Sequence, residues 1–168
     1  MRGRILQVST SPGGVPKLAV AQAYCSPLGL EGDGHNHPRF HGGPQKALLL
    51  ISEEDLCGLR AAGFPVHRGD LGENLTVEGI NFRQLRSGQR WRAGEAIIVL
   101  TTVRVPCRTL DVYNRPGMGR VQDAIYDLDV KAGDPSSPRW AKSGFYAAVF
   151  RPGSIRPGDP VTLLEESA

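Results

Sequence analysis

The segment Arg104-Val105-Pro106-Cys107-Arg108 holds the strongest candidate for reactive chemistry in this sequence. Cys107 follows the most strand-like run of the chain, so its thiol is expected at a strand end, where side chains meet solvent or a cleft. Arg104 and Arg108 flank the thiol, and nearby positive charge favours the thiolate, the form that acts as a nucleophile or as a ligand of soft metals. The opposing interpretation is a buried, inert cysteine, which is the commoner state of a single cysteine. These residues alone favour the reactive interpretation only slightly.

A second segment brings together an imidazole, two glycines and an amine, at His41, Gly42, Gly43 and Lys46. Glycines allow backbone amides to converge on an anion, and a lysine nearby adds the charge that a phosphate requires. Taken alone, this segment fits an ordinary Gly-Gly-Pro turn with a surface lysine better.

Two further polar loops offer groups for a ligand. In the loop 69–75, Glu73 stands beside Asn74, and a carboxylate next to an amide could orient a polar heterocycle. In the loop 141–146, Lys142 could supply a cation to an anionic ligand. The competing interpretations are an Asx-type turn for the first loop and an ordinary strand entry for the second.

Three histidines, His35, His37 and His41, share one loop with Asp33, which raises the question of a metal site. Their spacing matches no closed tetrahedral pattern, so the preferred interpretation is a set of solvent-exposed loop histidines.

Length and composition place the chain among small soluble proteins. Its 168 residues and 40% hydrophobic content predict a single domain over 1–168. The net charge of +3 is scattered, which does not call for nucleic acid, and no apolar run is long enough for a bilayer. The first residues are too briefly apolar for a signal peptide. Three widely spaced cysteines resemble neither a disulfide framework nor a zinc site, so we expect a cytoplasmic protein. Cys25 and Cys57 are expected to be small core residues.

The elements that must position these residues are short strands punctuated by turns. The predicted strands are 4–9, 18–24, 46–51 and 96–103, and a strand-turn-strand unit is predicted over 155–163. One helix is predicted from a Ser52 cap to about Ala62, and a second one passes through Val121, Ala124, Ile125 and Leu128. A mobile loop is predicted over 131–138. Because short strands outnumber helices, the predicted fold is a β-dominated α+β domain, a bent or closed antiparallel β-barrel with a few short helices.

In their order along the chain, several motifs resemble those of the MOSC family, named for the C-terminal domain of molybdenum cofactor sulfurases. The compact bacterial members that stand alone without a desulfurase domain are the most similar in layout. The likeness covers most of the chain and rests on Gly32-Asp33-Gly34, His41-Gly42-Gly43-Pro44 with Lys46, Gly72-Glu73-Asn74-Leu75, Pro106-Cys107, Ser143-Gly144-Phe145-Tyr146, Pro152-Gly153 and Pro157-Gly158-Asp159. The sequence departs from the family where Gln45 replaces a frequent acidic residue, and over 112–139.

This resemblance implies a β-barrel-like fold and a molybdenum-molybdopterin cofactor, with Cys107 as the metal ligand and catalytic residue. A soft thiolate suits molybdenum that is already held by other sulfurs. The cofactor phosphate would need cationic or backbone donors, and Glu73 with Asn74 would hold the pterin. The implied cofactor-binding residues are His41, Gly42, Gly43, Lys46, Glu73, Asn74, Arg104, Arg108 and Lys142.

Two functions of different classes follow from the resemblance. The first is an oxidoreductase that reduces N-hydroxylated small molecules with electrons from separate electron-transfer proteins. The second is a sulfur carrier or cofactor-handling module, in which Cys107 bears a persulfide delivered by a partner desulfurase. A cofactor-free binding domain that keeps only the fold is a third. A Cys107 thiol that opens into a pocket shared with His41, Lys46 and Asn74 would favour a cofactor site.

Overall fold

The structure is a computed structural model that describes residues 1–34 and 42–165. Its strands are β1 (Arg2–Thr10), β2 (Leu18–Val20), β3 (Ala23–Ser26), β4 (Gly29–Leu30), β5 (Leu48–Ser52), β6 (Leu75–Glu78), β7 (Arg90–Ala93), β8 (Ala96–Val103), β9 (Phe145–Arg151), β10 (Gly153–Ile155) and β11 (Pro160–Glu165). Its α-helices are α1 (Glu53–Ala61), α2 (Val121–Ile125) and α3 (Leu128–Lys131), and short 3-10 helices cover Pro44–Lys46, Phe82–Gln84 and Arg108–Tyr113.

Seven of these strands close into a barrel. They are hydrogen-bonded in the order β11-β7-β8-β9-β5-β6-β1, and β1 pairs back onto β11 with Arg2 opposite Thr162. The predicted β-dominated barrel is therefore confirmed. Its pairing is mixed, because β5 and β6 run parallel with Leu50 opposite Leu75. A parallel pair needs a crossover connection, which α1 and the loop after it provide here.

The predicted strand over 18–24 is wrong in one respect, since it is two strands in different sheets. β2 extends the barrel sheet by pairing with β1, and β3 pairs with β10 and β4 in a separate three-stranded sheet. The chain bends at Ala21 and leaves the first sheet there.

Apolar side chains fill two clusters. The larger lies in the barrel, with Trp91, Phe145 and Ile98 almost fully buried. The smaller packs under α1 and includes Leu56 and Leu110. α1 forms as predicted, because the Ser52 side chain accepts a hydrogen bond from the Asp55 amide at 3.2 Å and three acidic residues occupy its first turn.

The second predicted helix is in fact two short ones. Asp127 interrupts it and caps α3 by accepting a hydrogen bond from Val130 N at 2.9 Å. Leu128 is consequently 79% exposed and does not share the buried face of Val121 and Ile125. Lys131 ends α3, so the predicted loop begins one residue later and covers 132–138. The Ser137 hydroxyl donates to Asp127 Oδ2 at 2.9 Å, and the mobility of this loop stays a prediction.

The two cysteines outside the candidate site differ in burial. Cys25 is fully buried as expected, and this burial raises its pKa to about 12. The expectation for Cys57 is wrong, because it is exposed on α1 and accepts a hydrogen bond from Arg60 Nη2 at 3.0 Å. In the described part of the chain, no helix has the length and apolar character to cross a membrane.

Candidate functional site

A cavity of about 690 Å³, counted with its open mouth, lies at one end of the barrel beside Cys107. Four separate parts of the chain form its walls: the connection between β1 and β2, the segment before β5, the loop between α1 and β6, and the segment after β8. Leu49 on β5 and Tyr146 on β9 complete the lining.

The thiol of Cys107 is half-buried and lines this cavity. Its sulfur lies 2.9 Å from the Thr109 hydroxyl, which also lines the cavity. The Cys107 carbonyl accepts a hydrogen bond from Gln122 Nε2 at 3.2 Å, so α2 fixes the backbone that carries the thiol. A thiol held in this way can act as a ligand or nucleophile toward a group in the cavity.

Arg104 also lines the cavity, although only 4% of the residue is exposed. Nη2 donates to the Leu71 carbonyl at 2.9 Å, while Nη1 has no hydrogen-bond partner among the described residues. Burial lowers the pKa of Arg104, and the nearby Tyr146, Cys107 and Glu73 act against this shift. Arginine nevertheless keeps its charge in proteins, and among the described residues no carboxylate forms an ion pair with this guanidinium.

Lys17 is a second buried cation in the lining, and sequence reasoning missed it. Its ammonium forms an ion pair with Asp33 Oδ2, and both side chains are more than nine-tenths buried. Asp33 belongs to the Gly32-Asp33-Gly34 motif, and a carboxylate requires a cationic or hydrogen-bonding partner when it is buried. The sequence alone does not indicate that Lys17 is this partner.

Asn74 connects this ion pair to the barrel. Its Nδ2 donates to Asp33 Oδ2 at 2.7 Å and to the Ser9 carbonyl at 3.3 Å, and its Oδ1 accepts from Leu49 N at 3.0 Å. Asn74 lines the cavity as expected, but its amide already bonds to protein groups. Its main effect is therefore to hold the wall in place.

The structure brings together five of the predicted site residues in the cavity lining, and they are Gly42, Lys46, Asn74, Arg104 and Cys107. Lys46 also lies over the ring of Tyr146, with 5.4 Å from Nζ to the ring centroid. Gly43 adjoins this lining, and its φ of 83° is a conformation that glycine adopts without strain.

Three other predicted residues are not part of that lining. Glu73 is fully buried, and its Oε1 accepts hydrogen bonds from Gly69 N at 2.6 Å and from the Thr76 hydroxyl at 3.1 Å. The Arg108 side chain is 94% exposed, and Lys142 is partly buried near Asp55. The expectation that these three contact the ligand therefore has no geometric support.

The predicted histidine loop cannot be placed, since His35, His37 and His41 lie outside the described residues. Within 1–34 and 42–165, no three side chains of His, Cys, Asp or Glu gather in a way that could hold a metal ion by themselves.

Comparisons with known proteins give consistent matches. A sequence model of the MOSC domain matches residues 37–162. Protein YiiM of Escherichia coli (strain K12) is 28% identical over 160 residues, covering 91% of this chain and 64% of YiiM. The uncharacterized protein YflK of Bacillus subtilis (strain 168) is 27% identical over 136 residues, covering 80% of this chain and 55% of YflK. The chain thus spans less than two thirds of the length of these two relatives.

Solved structures show the same similarity in three dimensions. The crystal structure of YiiM from Escherichia coli aligns with a TM-score of 0.66 at 26% identity, covering 100% of this chain and 72% of that one. The crystal structure of a hypothetical protein aligns with a TM-score of 0.69 at 27% identity, covering 99% of this chain and 70% of that one.

Proposed function

The chain belongs to the MOSC domain family, and on this basis we propose that it binds a molybdenum-molybdopterin cofactor beside Cys107 and acts as an oxidoreductase. The family is associated with molybdenum cofactor binding. The observation that carries the proposal is the shared cavity, which the half-buried Cys107 lines together with two cationic residues, Arg104 and Lys46.

The residues of the cavity fit the chemistry of this cofactor. Molybdopterin holds its metal through sulfur and carries a phosphate, so it requires a soft ligand at one end and cations at the other. Cys107 offers the soft ligand, and Arg104 and Lys46 are cations in the same lining. Gly42 and Gly72 also line the cavity, and the absence of side chains there leaves backbone accessible to a ligand.

The roles of the chain's own residues follow from their contacts. Cys107 would complete the coordination of the metal, and its hydrogen bond with Thr109 would fix the direction of the sulfur. Gln122 would keep the backbone of Cys107 in place through its carbonyl. When bound, the cofactor would supply two-electron reduction chemistry.

The reaction we propose is the reduction of an N-hydroxylated small molecule. The N–O bond breaks, the oxygen leaves as water, and the amine forms with the uptake of two electrons and two protons. A separate electron-transfer protein supplies the electrons. The open mouth of the cavity leaves access for such a substrate next to Cys107.

Molybdenum retention by cysteine variants tests the proposal. The protein and its Cys107→Ala and Cys57→Ala variants are produced in a host that makes the cofactor, and their metal content is measured by elemental analysis. Cys57 is the matched control, because it is also accessible but lies on α1 outside the cavity lining. We expect the wild type and Cys57→Ala to retain molybdenum and Cys107→Ala to lose most of it, because the thiolate is the one protein ligand proposed.

Three outcomes would contradict the proposal or one part of it. Equal molybdenum in Cys107→Ala and wild type would remove the role of the thiol. A wild type without molybdenum that carries a persulfide on Cys107, detected by intact mass, would support the sulfur-carrier function instead. A wild type that holds molybdenum but reduces no hydroxylamino base, with a chemical reductant present, would retain the cofactor site and contradict the reaction.

A further inference from the structure

The outer surface of the barrel carries a row of arginines that are far apart in the sequence. Arg2 on β1 lies opposite Thr162 on β11, and Thr162 lies opposite Arg92 on β7. Arg92 lies opposite Ile97 on β8, and Ile97 lies opposite Arg151 on β9. Because directly opposite residues share one face of a sheet, these five residues form one continuous row across five strands.

This row faces solvent. On β7, Trp91 and Ala93 are buried in the core, so Arg92 between them points outward. Arg2, Arg92 and Arg151 are all exposed. No ion pair between described residues involves any of these three arginines. Their charges are therefore accessible to an anion from outside the chain.

A fourth arginine and an aromatic ring adjoin the row. Arg90 precedes Arg92 by two residues on β7, so it lies on the same face of the sheet. Its guanidinium carbon lies 4.3 Å from the centroid of the Phe150 ring, which is a cation–π contact. Phe150 is 61% exposed, so its ring is also accessible to a flat ligand. We call Arg2, Arg90, Arg92, Phe150 and Arg151 together the arginine face.

We propose that the arginine face binds single-stranded nucleic acid. A guanidinium is planar and donates paired hydrogen bonds that match phosphate oxygens, and the four cations of this face are all arginines. An exposed ring stacks on an unpaired base, whereas the bases of a duplex already stack on one another. With strands about 4.8 Å apart, the row measures about 19 Å along the surface, the length of about five or six stacked nucleotides.

The arginine face is separate from the cavity. Arg151 ends β9, whereas Tyr146 in the cavity lining lies near the start of that strand. Ile97 lies near the start of β8, whereas Cys107 follows the end of β8. The proposal therefore goes beyond the proposed function and does not depend on it. The scattered charge of the sequence does not indicate this face, because only the register of the closed barrel brings these arginines together.

Fluorescence anisotropy of a fluorescein-labelled oligothymidylate of about 12 nucleotides tests the proposal, with KCl varied from about 50 to about 200 mM. For single strands, the logarithm of the binding constant falls with the logarithm of the salt concentration by about 0.7 per phosphate contact, so four arginines predict a slope of about −2.8. Arg92→Gln and Arg151→Gln each remove one contact. Each should change the slope to about −2.1 and weaken binding about eightfold at about 50 mM salt.

Phe150→Leu tests the stacking of a base separately from the charges. It should weaken binding by about fivefold or more and leave the slope unchanged, because stacking releases no counterions. Arg115→Gln is the matched control, since Arg115 is an exposed arginine in the segment before α2, outside the arginine face. It removes the same charge and should bind as the wild type does. All of these positions are exposed, and circular dichroism verifies that each variant is folded.

Four results would overturn the proposal. The first is no binding of the oligonucleotide by the wild type at about 50 mM salt. The second is an equal loss of affinity in Arg115→Gln and Arg92→Gln, which would show a response to net charge alone. The third is wild-type affinity in Phe150→Leu. The fourth is binding that depends on Arg92 to vesicles of phosphatidylcholine and phosphatidylserine but not to the oligonucleotide, which would assign the face to an anionic membrane surface.

Discussion

Replacing Asn74 with aspartate tests the polar network that supports the cavity wall. The substitution keeps the shape of the side chain and the acceptor for Leu49 N, but it replaces the Nδ2 donor with an oxygen. That donor serves Asp33 Oδ2 at 2.7 Å and the Ser9 carbonyl at 3.3 Å, so two hydrogen bonds become contacts between acceptors. The Lys17 ammonium then faces two carboxylates in a buried site.

The two lost hydrogen bonds determine how much stability the variant loses. A hydrogen bond to a charged group contributes about 1.5–3 kcal/mol and a neutral one about 0.5–1.5 kcal/mol, so Asn74→Asp should lower the free energy of unfolding by roughly 2–4.5 kcal/mol at pH 8. Repulsion between the two carboxylates adds to this loss.

The loss should depend on pH in a defined direction. Asp33 and burial raise the folded-state pKa of the new carboxyl group above its unfolded value of about 3.9. A group with a raised folded pKa contributes stability that is fully present below the unfolded pKa and is lost as the pH rises through the folded one. The protonated form can donate to Asp33, so the destabilisation should be smaller at pH 5 than at pH 8.

Urea unfolding at pH 5, 6, 7 and 8 measures this effect for wild type, Asn74→Asp and Asn74→Ala. The alanine variant loses the same donor without adding a charge, so its destabilisation should vary little over this range. If Asn74→Asp is equally destabilised at every pH, or is as stable as wild type at pH 8, then the hydrogen bonds to Asp33 and Ser9 do not support the wall as described.

Two further predictions concern the residues around the cavity. Burial raises the pKa of Glu73, so the contribution of Glu73 to stability is present at low pH and is lost as the pH rises through the folded-state pKa. Glu73→Gln should remove this loss. The free energy of unfolding of this variant should therefore change less with pH above about 4.3 than that of the wild type. An identical slope in variant and wild type would contradict this. Gly69→Ala should lower the Tm, because Gly69 has a φ of 91° and an added Cβ would meet the Lys17 carbonyl oxygen at 2.0 Å. Gly58→Ala is the control, because Gly58 lies in α1 and an added Cβ there would have nothing within 4 Å. This substitution should raise the free energy of unfolding by about 0.5–1 kcal/mol. A higher Tm for Gly69→Ala than for Gly58→Ala would contradict both expectations.

Much of the barrel could be predicted from local patterns. The run 96–103 of β-branched and apolar residues forms β8 with the predicted bounds, because a strand that packs on a core selects such residues. The parallel pairing of β5 with β6 could not be predicted, since both strands are apolar and their relative direction depends on the path of the chain between them.

The candidate site was predictable where one element determines the position of a residue. Cys107 follows β8, and the end of that strand places it at the cavity. Lys17 was missed because it reaches the cavity from the connection between β1 and β2, which only the closed barrel brings close to the segment after β8. Glu73 and Asn74 were predicted to act as a pair, yet only Asn74 lines the cavity, because the Glu73 carboxylate is buried against Gly69 N and the Thr76 hydroxyl.

The pairing of β1 with β11 has a consequence for how the protein acquires its shape during synthesis. Arg2 lies opposite Thr162, so β1 leaves the ribosome well before β11, and the ring cannot close until β11 has been synthesised. Contacts this distant in sequence form slowly, and during the delay β1 presents an unpaired edge on which other chains can assemble. Expression conditions that slow aggregation of nascent chains should therefore matter more for the yield of this protein than the stability of the finished barrel does.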